Sequence, residues 1–96
     1  MLMPLPKPRP LPTNAEIADY LANYARVIER DLGEVSTRWR VRAARRAAAV
    51  ICRWPVPVAP MSKNELMTLP GVGKGIARHV QQIVEIHLIP DSVFFG

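Results

Sequence analysis

Proline placement limits what this chain can build. Its ten prolines stand at positions 4, 6, 8, 10, 12, 55, 57, 60, 70 and 90. A proline removes a backbone donor and clashes with the preceding helical turn, so each marks a point that no helix interior crosses. The alternating set at 4–12 favours an extended polyproline II arm rather than a packed element. Two proline-free stretches then remain for helices, one before Pro55 and one between Pro70 and Pro90. The expected architecture is all-α: a compact four-helix domain over residues 14–90, preceded by a flexible Pro-rich arm (1–13) and followed by a short tail (91–96).

Hydrophobic spacing divides the first stretch. Asn14 is read as an N-cap, and Ile17, Leu21, Tyr24, Val27 or Ile28, and Leu32 recur at helical intervals, giving a first helix over 15–32 that Gly33 stops. A second helix starts from Ser36 or Thr37 and runs to Trp54. At about 100° per residue, Trp39, Ala43, Ala47, Val50, Ile51 and Trp54 share one side. That phase assigns both tryptophans to the core rather than to stacking on bases. Arg38, Arg42, Arg45, Arg46 and Arg53 form a neighbouring basic ridge. Ser62-Lys63-Asn64-Glu65 reads as a capping box for a short third helix over 63–68. A fourth helix follows over 74–87, with Ile76, Ala77, Val80, Ile83, Val84 and Leu88 apolar.

Charge is uneven along the chain. The net charge is +5 and the isoelectric point about 10.2. Residues 14–34 carry five acids against two arginines, whereas residues 35–54 carry six arginines and no acid. A concentrated basic segment favours a polyanionic partner. Cys52 is the only cysteine, which excludes an internal disulfide and multi-cysteine zinc sites and leaves it as a small core filler. No apolar run approaches the ~20 residues that cross a bilayer, and the N-terminus lacks the apolar region of a secretory signal. No membrane partner is expected, and the expected location is intracellular, in a nucleoid or nucleus.

The segment between helices three and four carries the chemistry. Leu69-Pro70-Gly71-Val72-Gly73-Lys74-Gly75 places glycines where a short helix turns into a longer one. Glycine accepts unusual dihedrals cheaply, and its bare backbone lets amides approach an anion. These amides open a helix, whose unpaired N–H groups and dipole favour negative charge. Lys74, Arg78 and His79 lie beside Gly71, Gly73 and Gly75, and together these residues are the candidate phosphate contacts. A phosphate held this way gives affinity and register without a sequence code. Dinucleotide-fold and P-loop readings fail, because the glycines follow a helix rather than a strand and no Gly-Lys-Ser/Thr ending is present. The histidines at 79 and 87 are too far apart along a helix to form an i, i+4 metal pair.

The segment resembles the helix-hairpin-helix family. Residues 14–88, about three quarters of the chain, resemble the small N-terminal domain of the DNA polymerase beta (family X) proteins. The matching pieces are the capped first helix, Arg45-Arg46-Ala47-Ala48-Ala49-Val50-Ile51-Cys52-Arg53-Trp54-Pro55 and Leu69-Pro70-Gly71-Val72-Gly73-Lys74-Gly75-Ile76-Ala77. A similar domain opens some structure-specific junction endonucleases. The resemblance implies a DNA-binding module, working in DNA repair or processing, with the amides of Gly71, Gly73 and Lys74 as the phosphate grip. It also implies a Na+ or K+ ion on the backbone carbonyls of Met67, Leu69 and Val72.

Many of these relatives are also 5′-deoxyribose-phosphate lyases, which need a lysine amine to form a Schiff base. The position matching that lysine is His79, which cannot form the imine, and an expected aromatic is Ala44. Arg40 matches a supporting phosphate-binding lysine. Lys74 is the one weak substitute for the nucleophile, so the reading is a binding module rather than an enzyme, with DNA (single-stranded, gapped or duplex) as the partner. Two alternatives stay open: a protein-interaction module that uses the Pro-rich arm or acidic first helix and keeps the hairpin only for structure, and a lyase with a displaced lysine.

Overall fold

The computed structural model describes residues 10–31 and 38–88. Four helices follow in order: α1 (Asn14–Asp31), α2 (Arg38–Arg53), α3 (Lys63–Leu66) and α4 (Lys74–Leu88). Among the described residues there is no strand, and no helix is long and apolar enough to cross a membrane. Most of the Pro-rich arm, the Ser36 and Thr37 caps, the Gly33 stop and the C-terminal tail lie outside the described residues.

Helix α1 begins one residue earlier than its spacing suggests, and the cap is different. Thr13 is the capping residue: its hydroxyl accepts the Glu16 amide at 3.1 Å, and the Glu16 carboxylate accepts the Thr13 amide at 3.1 Å. This reciprocal pair is a capping box, readable in hindsight as Thr13-Asn14-Ala15-Glu16. The Thr13 bonds also hold the Glu16 carboxyl below its ordinary value.

Asn14 is thereby released for a long-range task. Its side-chain amide donates to the carbonyls of Trp54 (3.2 Å) and Val56 (2.9 Å), and its oxygen accepts the Val58 amide at 2.9 Å. The connector after α2 contains Pro55 and Pro57, which donate nothing and so cannot organise the segment through their own backbone. One asparagine ties it to the start of α1 and seats Val58 fully in the core.

Helices α1 and α2 form the main packed pair. The buried side of α2 is Val41, Ala44, Ala47, Ala48 and Ile51, a face rotated from the one the tryptophans suggest. The alanines permit close approach of Leu21, Ala25 and Ile28 from α1, all buried, and that close seam leaves the Trp39 indole outside. Trp39 is 65% exposed, against the expectation of a core position, whereas Trp54 is half-buried against the main core. Val27 and Cys52, also expected inside, are exposed.

The third helix and the hairpin close the other end of the core. The expected capping box is present, with Glu65 N donating to Ser62 Oγ (3.2 Å) and Ser62 N donating to the Glu65 carboxylate (3.1 Å). Leu66, Leu69 and Val72 are all nearly fully buried and join Ala77, Val80 and Ile83 of α4 in one cluster. Burying such side chains contributes roughly 1.5–3 kcal/mol each, which clamps the hairpin from below while its glycines stay outside.

Candidate nucleic-acid interface

The hairpin turns on one strained position. Gly71 has φ of +78°, in the left-handed region, and it is the only described residue that does. Residues on either side form short-range bonds: Leu69 N to Leu66 O and Val72 N to Leu69 O, both 3.1 Å. Gly73 O then accepts the Ala77 amide at 2.9 Å and begins α4. Gly73 and Gly75 need no positive φ, and a β-carbon at either would meet nothing within 4 Å. Their bareness is therefore not explained by the protein's own packing.

The amides at this bend are open. Among the described residues, the N–H groups of Gly71, Gly73, Lys74 and Gly75 have no acceptor; only Val72's, within the bend, is used. Gly71, Gly73, Lys74 and Gly75 are all exposed. Four unsatisfied donors on one turn, at the positive end of a 15-residue helix, make an anion-binding surface.

The basic ridge of α2 divides between two neighbours. Arg46 lies across the hairpin: a β-carbon at residue 71 would stand 3.2 Å from its Cδ and 3.3 Å from its Nε. Arg45 points the other way and pairs with Glu29 of α1. Arg38, Arg42 and Arg53 are exposed, as are Lys74 and Arg78 of α4. Among the described residues none of these five, nor Arg46, is in an ion pair.

A concavity of about 400 Å³ opens beside the glycines. Its walls are Tyr24 of α1; Trp39, Arg40 and Ala43 of α2; Gly71 and Gly73 of the hairpin; and Gly75, Ile76 and His79 of α4. The Arg40 guanidinium carbon sits 5.3 Å from the Trp39 ring centre. Tyr24 meets His79 edge to face, with centroids 4.2 Å apart and planes at 82°. Burial pushes the His79 imidazole below its ordinary 6.5, so at neutral pH this ring carries no charge. Its place as a cationic phosphate contact is corrected to that of a neutral wall residue, half-buried against a tyrosine.

Hairpin, Arg46 and concavity thus form one continuous surface, which neither periodicity nor motif spacing reveals. Trp39 and Arg40 were the residues the helical phase misplaced or left aside; the only sequence signal for them is their position at the start of α2, where the α1 seam has not yet closed. No lysine lines the concavity. Among the described residues no group of three or more histidine, cysteine or acidic side chains is placed to hold a metal ion.

Comparison with curated proteins and with solved structures finds no match. The helix-hairpin-helix domain family matches residues 12–89, a span that begins at the buried Pro12 and takes in all four helices. By that match, over most of its length and through the hairpin just described, the chain belongs to the helix-hairpin-helix domain family.

Proposed function

We propose that this chain is a DNA-binding module that grips backbone phosphate through the hairpin and does not read base sequence. The observation that carries the reading is the set of four amides, at Gly71, Gly73, Lys74 and Gly75, left without acceptors on glycines that the fold itself does not require to be bare at 73 and 75. A phosphate oxygen supplies the missing acceptors, and the absence of β-carbons lets it come close. Lys74 and Arg46 add positive charge beside it, Arg78 one turn further on. Hydrogen bonds to charged groups are about twice as strong as neutral ones, so a few such contacts are enough for useful affinity.

The turn also offers a place for a monovalent cation. Among the described residues the carbonyls of Met67 and Val72 accept no hydrogen bond, and that of Leu69 accepts one, from Val72. Neutral main-chain oxygens without a carboxylate suit a hard ion of single charge, Na+ or K+, and would add positive charge next to the amides. The amides and arginines do the gripping in either case.

The polymerase-beta-like character of residues 14–88 supports a role in DNA repair or processing, within the nucleoid or nucleus. The reading is binding without Schiff-base chemistry, since His79 stands at the matching position and no lysine lines the adjoining wall.

Titrating fluorescent duplex and single-stranded DNA across salt tests the proposal. Each phosphate neutralised on duplex DNA releases counterions, with a slope of about −0.9 per contact in log K against log salt. A slope between roughly −2 and −4 is expected for the amide, Lys74 and Arg46 set. A flat salt response, or no binding at low salt, removes the reading.

A further inference from the structure

The concavity beside the hairpin differs in chemistry from the hairpin itself. Phosphate is met by amides and cations, but the concavity is walled by an indole, a phenol ring, Ile76 and an imidazole. Large aromatic side chains carry a big hydrophobic payload and normally bury it. Trp39 leaves 65% of its surface in water at the mouth of this space, with Arg40 against its ring. Nothing in the packing of α1 on α2 needs an indole there, since the seam is built from alanines.

We propose that this concavity receives one unpaired base of a single-stranded DNA segment whose neighbouring phosphate sits on the hairpin amides, with Trp39 as the stacking surface. The inference rests on the phosphate reading above and adds the preferred substrate: an unpaired strand rather than intact duplex. Three observations support it. Gly71, Gly73 and Gly75 belong to both surfaces, so a nucleotide held by its phosphate at the hairpin has its base directed at the same walls. The volume of about 400 Å³ falls within the roughly 300–1,000 Å³ of sites that take small organic groups. The rim is cationic through Arg40 and Arg46, and no carboxylate lines the walls to repel a strand.

Base pairing and stacking in a duplex hide the faces that Trp39 would cover, so only an unpaired base enters. Stacking tolerates every base, because each has an aromatic face. The neutral His79 ring, held edge-on by Tyr24, offers one donor and one acceptor to a base edge. The site therefore selects unpaired structure without selecting sequence.

The experiment uses three probes with equal numbers of phosphates: a natural single strand, a strand of abasic tetrahydrofuran sugars, and a blunt duplex. Binding of the full chain is followed by fluorescence anisotropy at one low salt concentration. The natural strand is expected to bind about tenfold tighter than either other probe. Trp39→Ala is expected to weaken the natural strand by about 5- to 150-fold, the range for losing one aromatic–base stack. It should leave the other two probes within about twofold, with Trp39→Phe recovering most of the loss. A single 2-aminopurine in the natural strand should be quenched on binding to wild type and not to Trp39→Ala. Equal affinity for natural and abasic strands overturns this inference alone. A loss in Trp39→Ala that is equal for all three probes also overturns it. Failure of all three probes to bind overturns the phosphate reading and this inference with it.

Discussion

Arg46 covers Gly71: the side chain from the middle of α2 passes over the one left-handed residue of the hairpin, within 3.2 Å of where a β-carbon would stand. Two facts about Gly71 follow, its dihedral angle and its lid, and they separate it from Gly75, which has neither. Gly71→Ala should cost about 1–2 kcal/mol of stability from the left-handed backbone alone, and more if Arg46 is displaced. Gly75→Ala meets open space inside a helix and should stabilise by about 0.5–1 kcal/mol. Its DNA affinity should nevertheless fall, because the new methyl stands where a phosphate approaches. Urea unfolding together with DNA titration checks both. A Gly75→Ala protein that is more stable and binds DNA unchanged contradicts the amide grip.

The two adjacent arginines of α2 should behave differently. Arg46 is unpaired among the described residues and lies on the hairpin, whereas Arg45 is engaged by Glu29. Arg46→Ala should weaken binding to all DNA sequences alike and reduce the salt slope by about one. Arg45→Ala should do much less. Glu29→Ala should barely change stability, since exposed pairs contribute roughly 0–1 kcal/mol, and should raise DNA affinity by freeing Arg45. Salt-dependent titrations of the three variants give the comparison.

Asn14 makes three hydrogen bonds that bridge α1 to the proline connector. Asn14→Ala leaves their partners without it, and a loss of about 1–3 kcal/mol is expected. Thr13→Ala removes a helix cap and should cost about 1 kcal/mol. Chemical denaturation of the two variants should therefore rank Asn14→Ala as the more destabilised. The reverse order would show that the connector holds its place without this tie.

Acidification should act through His79. Burial holds its folded-state value below the ordinary 6.5, so between the two values the unfolded chain binds more protons than the folded one, and stability rises with pH. The stability linked to the neutral ring is complete above about pH 6.5 and is lost as pH falls from there through the lower folded value. Glu16 is also held below its ordinary value of 4.5, and its contribution is lost only at more acidic pH, below that point. Thermal melts between pH 8 and pH 5 should show a falling Tm for wild type and a flatter profile for His79→Phe. Equal slopes in the two proteins would remove His79 as the cause.

Local chemistry made several elements readable in advance. Pro55 ends α2, Ser62 and Glu65 form the capping box they spell, and the Leu69–Ala77 pattern marks the hairpin, because each depends on residues within about four positions of one another. Thr13 and Glu16 spell a capping box just as plainly; Asn14 drew the assignment because a good capping residue stood next to a better-placed one.

Other features depend on contacts that no local pattern encodes. Several faces of α2 carry apolar residues, and arginines are scattered between them, so periodicity alone cannot say which face α1 covers. The seam runs along Val41, Ala44, Ala48 and Ile51 because small side chains let the helices approach closely, and this choice puts Trp39 in water and Arg46 on the hairpin. By itself the sequence determined a helical chain broken at its prolines, with an anion-seeking bend between α3 and α4. Only the tertiary structure decided that an exposed indole, a neutral imidazole and an arginine from distant segments would surround that bend. The reason is physical: turns and caps are set by neighbours along the chain, whereas a concave surface exists only after helices remote in sequence have packed.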